Sequence, residues 1–337
     1  MRIGVLTNLR AGGSGARSGK VLEHLSRYPD IVHVETDTGH GATAAVRELA
    51  EAGVQILVVN GGDGTLQRTI TEVLSASSPF RKNGGELPDA RDLPLIAPLR
   101  TGRTSMTAYD IGSPRDGRAA IDRLIWRSRT GRLHDSLVHR AALRMRLDPD
   151  GVDCWGTFFG VGVIYRGTLL THRIFPKGKA QGAFGSTMVT AGLIARALTG
   201  RAPVVPSADD PLKVDPITVT LDNERLEACE FQLLLATTLH RLFAGIRPFW
   251  GKGPGGIRFT ALRPGCFRRP QDIARILRGH APKSDEGSGS IYESRNVETV
   301  ALTLDCGISL DGEMYAPHAG RQAILKADHR IRFLSTR

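Results

Sequence analysis

Val58–Gln67 reads V-V-N-G-G-D-G-T-L-Q. Three glycines, one aspartate and one threonine end a run of apolar residues. Val54–Val59 is, apart from Gln55, a run of β-branched residues and leucine, which predicts a buried strand. From Thr65 to Ala76, Leu66, Ile70, Val73 and Leu74 recur at helical spacing, which predicts a helix with one apolar side. The glycines therefore sit where a strand hands over to a helix. Glycine there lets the backbone take positive φ and approach a ligand closely, and the following helix start offers free N–H groups and partial positive charge. Two readings stand at this point. The stretch is a tight turn with Asp63 as a helix cap, or it is a phosphate site in which Asp63 holds Mg²⁺ or takes a proton from a hydroxyl.

The flanking sequence repeats the alternation. Arg2–Asn8 and Ile31–Thr36 read as strands, and so does the apolar run beginning at Pro94. Helices are expected from Ser18, over His40–Ala52, where alanines, Val46 and Leu49 make the apolar face and Gly53 ends it, and over 115–129. Strand and helix in turn argue for a Rossmann-like, three-layer α/β domain with a parallel sheet. The pattern changes near Asp135. Segments such as H-R-A-A-L-R-M-R-L-D and P-I-T-V-T-L-D alternate, and L-D-N-E-R reads as a hairpin turn. The second half is expected to be a mostly antiparallel, β-sandwich-like domain, with a helical insertion at Ser186–Leu198 and a surface loop at Pro282–Ser290. The domains are placed at 1–132 and 133–337, with the last strand free to return toward the first domain or the cleft.

Composition limits the classes. The chain has 337 residues, 41% of them hydrophobic, enough for sizeable cores. Its net charge of +11 suits anionic partners, from lipid headgroups to polyphosphates. No recognition-helix or aromatic-platform pattern supports nucleic acid. Four scattered cysteines form no zinc or disulfide framework. No apolar run reaches the roughly 20 residues of a membrane span, so a cytoplasmic protein is expected, one still able to work at a membrane surface.

The first strand ends at Asn8 in a second glycine-rich loop, Gly12–Gly19, on the same carboxyl edge as Gly61–Thr65. That edge is where open parallel sheets bind ligands. Two familiar phosphate motifs fail there. A P-loop needs glycine where Ser14 stands and Ser or Thr where Val21 stands, and a dinucleotide fingerprint needs a third glycine where Ser18 stands.

N-x-x-x-G-x-S-G near Asn8, V-V-x-G-G-D-G-T, a P-L-x-T-G loop at Pro98–Gly102 and a late D-G-E at Asp311–Glu313 together resemble the diacylglycerol kinase catalytic family. That family includes bacterial lipid kinases and the sphingosine and ceramide kinases, and it is distantly related to NAD kinases and phosphofructokinases. The resemblance implies transfer of the γ-phosphate of ATP to a lipid hydroxyl with Mg²⁺, the nucleotide lying between an α/β and a β-rich domain. It implies that Asn8, Ser14, Gly15 and Thr36 meet the nucleotide. It gives Gly61, Gly62, Gly64, Thr65, Thr101 and Gly102 to the phosphates, Asp63 to the metal or the reacting hydroxyl, and Glu313 to the general base. Without the resemblance, Asp311-Gly312 reads as a hairpin turn.

The chain departs from the family pattern in places. Leu9 stands for a proline. The third loop reads R-T-G-R-T-S, with Arg100 in place of a glycine and Arg103 in place of Asn or a small polar residue. A side chain at 100 can crowd the phosphates; equally, Arg103 can reach one bidentately. The expected acceptor is a diacylglycerol- or sphingoid-type lipid at the membrane surface, peripherally on the inner face. Phe158–Tyr165, Leu169, Leu170, Ile174 and Phe175 are candidates to line it, and the Arg-rich stretch 241–278, with Phe243, Phe249 and Trp250, is a candidate to meet the membrane. A homodimer is compatible with the sequence. The rival readings are an NAD kinase-like enzyme with a soluble acceptor and a catalytically weak nucleotide- or membrane-binding homologue. The first would use a downstream Asn-Glu, but Asn223-Glu224 falls in the expected hairpin turn.

Overall fold

A computed structural model describes residues 1–10, 16–36, 41–81, 92–174, 210, 212–266, 270–283 and 291–337. The chain divides into two compact units. Their described parts are residues 1–140 with 330–337, and residues 141–329.

The first unit is α/β. Strands β1 (Ile3–Asn8), β2 (Val32–Thr36), β3 (Ile56–Asn60) and β4 (Leu95–Pro98) alternate with helices α1 (Ala16–Leu25), α2 (Gly41–Glu51) and α3 (Asp63–Leu74). Two further helices follow, α4 (Met106–Ile111) and α5 (Gly117–Arg129). The sheet runs β2-β1-β3-β4, every pairing parallel. The end of the last strand joins it, Phe333 pairing in parallel with Ile96.

The strand cores are continuous apolar runs because helices bury both faces. Ile56, Leu57 and Val58 are wholly buried. One layer packs Val5, Val58 and Ala97 against Val21, Ala120, Ile121 and Leu124 of α1 and α5. α2 buries Ala42, Ala45, Val46 and Leu49, the expected face, and Gly53, at φ +71°, ends it. A parallel sheet fed by right-handed crossovers brings the ends of β1, β3 and β4 to one edge. The loops that leave those ends carry the glycine motifs.

The second unit is built mainly of antiparallel strands. One sheet runs β13 (Tyr292–Val297), β12 (Ile257–Leu262), β11 (Leu233–Thr237), β7 (Phe158–Gly162), β15 (Ile308–Leu310) and β16 (Glu313–Tyr315). The other includes β8 (Asp215–Leu221), β14 (Thr299–Leu304) and β17 (Arg321–Leu334), with β9 (Glu224–Arg225) and β10 (Glu230–Phe231) beside β8. β5 (Leu137–Asp148) and β6 (Val152–Gly156) form a hairpin. Alternate residues of each strand feed one core: Phe159 and Val161, Val219, Phe259, Leu302, Ala323 and Leu325.

Three local features differ from the sequence reading. The second unit also holds α6 (Val163–Ile174) and α7 (Pro270–Leu277), neither of them expected. The run Phe158–Tyr165 is broken at Gly162, whose φ is +67°; an added Cβ there would fall 2.2 Å from the Gln232 carbonyl oxygen. The chain leaves β7 at that point and turns directly into α6. The unit boundary falls at residues 140/141, within β5, whereas the sequence places it at 132/133. The insertion expected at Ser186–Leu198 and most of the loop at Pro282–Ser290 lie outside the described residues.

Candidate active site in the glycine loops of the first unit

β3 ends at Asn60, and α3 begins three residues later, at Asp63. The helix starts two residues before the expected Thr65, which puts Asp63 in its first turn. Gly62 is the N-cap, and it caps through no side chain. The amides at the head of α3 are thus left to other partners, the condition that suits an anion.

The glycines also serve packing. An added Cβ on Gly61 would meet the Thr65 side chain at 2.6–2.8 Å, and one on Gly102 would lie 2.4 Å from Gly62 Cα. The two loops touch backbone to backbone, and Thr101 Oγ1 donates to the Gly61 carbonyl at 3.2 Å. Gly62 itself has room, the nearest atom to its added Cβ being 3.6 Å away.

Asn8, at the end of β1, donates from Nδ2 to Thr65 Oγ1 at 2.9 Å. Asn60 is fully buried, and its Nδ2 donates to Thr7 Oγ1 and to the Ser18 carbonyl, both at 3.1 Å. Asn60 therefore ties β1, β3 and α1 together, a role its place in the motif does not announce. Thr36, buried at the end of β2, helps line an open cleft of about 450 Å³ with Leu9, Val34, Glu35, Ala44 and Glu48. Its size falls in the usual range of ligand pockets, on the order of 300–1,000 Å³. Ser14 and Gly15 lie outside the described residues.

Asp63 departs from the cap reading of the sequence. It is not the cap of its own helix. Its Oδ1 accepts from the Thr107 backbone N–H at 3.3 Å, and so it binds the start of α4. Burial pushes its carboxyl above the usual carboxylate range, and the backbone N–H groups of Met106, Thr107 and Ser105 pull the other way. Beside it is a cavity of about 10 Å³, lined by Gly61, Gly62, Leu66, Pro98, Leu99 and Ser105 among others. That is room for about one water. Ser105, held at φ +47°, has a buried hydroxyl with no hydrogen bond among the described residues.

No group of three or more His, Cys, Asp or Glu side chains able to hold a metal occurs among the described residues. Asp63 is the single carboxylate among the residues that line the cavity beside it, which is too small for a hydrated ion.

The third loop places its arginines differently. The Arg100 guanidinium lies over the Tyr109 ring, 4.8 Å from its centroid. Tyr109 belongs to α4, which anchors this side chain. α4 is held from its other end as well, by a pair between buried Asp110 and Arg140 at 2.8 Å.

Residues 2–133 match the family model of the diacylglycerol kinase catalytic domain. That segment falls within the first unit described above. The solved structures similar to the chain carry the likeness of fold through its whole length. A diacylglycerol kinase from Bacillus anthracis str. Sterne superposes with a TM-score of 0.59 at 17% identity, over 99% of this chain and 96% of that one. Two other structures from the same organism give TM-scores of 0.62 and 0.60 at 16% and 15% identity. An NAD kinase from Archaeoglobus fulgidus in complex with ATP gives 0.44 at 14% identity. No curated protein matches the chain by sequence.

The other candidate base lies in the second unit. Asp311 and Gly312 form the tight turn between β15 and β16, both at positive φ, +48° and +88°, and Glu313 opens β16, half-buried. The turn conformation is the one its dipeptide suggests, yet Asp311 is no solvated turn residue. It is buried, and its carboxylate accepts from Thr157 N at 2.7 Å and Thr157 Oγ1 at 2.8 Å. Thr157 in turn accepts from Thr237 Oγ1 at 2.8 Å. The turn that carries Glu313 is thereby fixed to β11 and to the β6–β7 corner.

Asn223 lies in the β8–β9 turn at φ +77°, and Glu224 pairs with Arg295 at 2.7 Å. Of the residues suggested for the acceptor, Phe158, Leu169 and Leu170 are half-buried; the side chain of Ile174 and all of Phe175 lie outside the described residues. Trp250 packs beside Ile273, Ile276 and Tyr292 in a small core cluster, and Arg258 lies over Phe249. Among the described residues no helix is long and apolar enough to cross a membrane.

Proposed function

We propose that this protein is an ATP-dependent lipid kinase that transfers the γ-phosphate to a hydroxyl of a diacylglycerol- or sphingoid-type lipid. The observation that carries the reading is the backbone contact between Gly62 and Gly102, inside the segment that matches a kinase family. It brings together two loops whose amides and hydroxyls suit phosphates. Phosphoryl transfer needs positioning and charge neutralisation more than covalent chemistry. The amides at the head of α3 bind negative charge, Thr65 and Thr101 order the loops, and the cleft beside Thr36 receives the nucleobase.

Mg²⁺, bound with the nucleotide, would supply neutralisation of the phosphate charge. Asp63 anchors the start of α4 and also brings its carboxylate to the reacting hydroxyl, where its charge assists the transfer. Glu313, on its pinned hairpin, takes the proton of the attacking hydroxyl. The protein works in the cytoplasm, peripherally at the inner membrane face, where its net charge of +11 favours anionic lipid. A homodimer is compatible with this role.

The test is label transfer. With γ-labelled ATP, Mg²⁺ and mixed vesicles of diacylglycerol and anionic phospholipid, label is expected in the organic phase. Glu313→Gln is expected to reduce the rate about 10²–10⁴-fold, the usual worth of a general base. Label confined to soluble acceptors would replace the lipid with a soluble substrate. ATP binding with no transfer to either pool would leave a non-catalytic nucleotide binder.

A further inference from the structure

We infer that Arg17 is a phosphate-binding residue of the glycine-loop site, one that the family signature does not supply; the inference rests on the ATP reading above. Arg17 stands in the first turn of α1, directly after the first glycine loop. It reaches across to the third loop, where its Nη2 donates to the Gly102 carbonyl at 2.8 Å. Gly102 is the residue that touches Gly62 at the head of α3. One side chain thus bridges the first and third loops beside the second.

A guanidinium has five N–H donors in a planar fork. The single bond to Gly102 uses one and fixes the plane; the others remain for a ligand. Arg17 is exposed, and among the described residues no carboxylate pairs with it. This differs from Arg140, Arg144, Arg166 and Arg321, which each meet an aspartate at 2.6–2.8 Å. An arginine that only stapled two loops would need no charge, whereas a triphosphate needs one. Because the bond to Gly102 already orders the side chain, little rotamer freedom is lost when an anion arrives. The third loop is also where the chain replaces family residues with Arg100 and Arg103, and Arg100 is turned onto Tyr109. Arg17 supplies the charge from the other side of that loop.

The experiment measures binding of ATP, inorganic tripolyphosphate and adenosine to wild type, Arg17→Met and Arg17→Lys by calorimetry, with thermal melts as the folding control. Arg17→Met is expected to weaken ATP and tripolyphosphate about tenfold each, one charge-assisted contact, and to leave adenosine unchanged. Arg17→Lys is expected to recover part of that loss. Unchanged ATP affinity in Arg17→Met overturns the role, and so does an equal loss for ATP and adenosine, which would mark a staple. If the wild type itself binds neither ATP nor tripolyphosphate, the phosphate site fails, and Arg17 with it.

Discussion

Asp63→Asn is expected to leave the protein folded, at least as stable as wild type at neutral pH, and about 10³-fold less active. The asparagine keeps an oxygen for the Thr107 N–H and drops the charge. The folded-state carboxyl pKa lies above its unfolded value, because burial outweighs the amides of Met106, Thr107 and Ser105. The folded state then binds the proton more tightly. Stability falls as pH rises from the usual carboxylate range through the raised value, and the full cost is present above it. Denaturant melts across that window should show the slope in wild type and lose it in Asp63→Asn. Asp63→Ala separates the two roles: with no acceptor at the start of α4, it should lose activity and also about 1–3 kcal/mol of stability. A residue that costs stability when ionised and is kept as a carboxylate fits a functional site. An active Asp63→Asn variant would reduce Asp63 to a loop anchor.

Gly102→Ala is expected to lower stability by about 2 kcal/mol and to abolish measurable ATP binding. Its Cβ would fall 2.4 Å from Gly62 Cα, backbone against backbone, so the loops must part. Gly62→Ala is the matched control. At 3.6 Å its Cβ makes an ordinary contact, so the fold should hold while the methyl group intrudes on the bound phosphate. Unfolding curves and ATP titrations of both variants check the pair; equal stability of the two would show that the loops yield freely.

Much of the first unit was legible because its signals are periodic. The runs at Ile56–Asn60 and Leu95–Pro98 and the face Ala42, Ala45, Val46, Leu49 of α2 each declare a partner layer. The D-G turn before Glu313 was equally plain, since that dipeptide tolerates positive φ. What was hidden depended on tertiary placement or on short length. α4, with only 6 residues, is too short for a helical period. α7 lay concealed in an arginine-rich run. That Asp63 serves α4 rather than α3 depends on Thr107, 44 residues away. Arg17 was missed because its signal, a cation following a glycine loop, acquires meaning only from its bond to Gly102. Asp311 looked like a turn residue because nothing in D-G-E shows that Thr157 would come to meet it.

The central claim is that the loops at Gly61–Thr65 and Thr101–Gly102 hold the phosphates of ATP. A co-crystal structure with a non-hydrolysable ATP analogue tests it most directly. The β- and γ-phosphates are expected within hydrogen-bond distance of the amides from Gly62 to Thr65 and of the Arg17 guanidinium, with the base beside Thr36. Phosphates seated on any other part of the chain, with these amides left to solvent at saturating analogue, would contradict it.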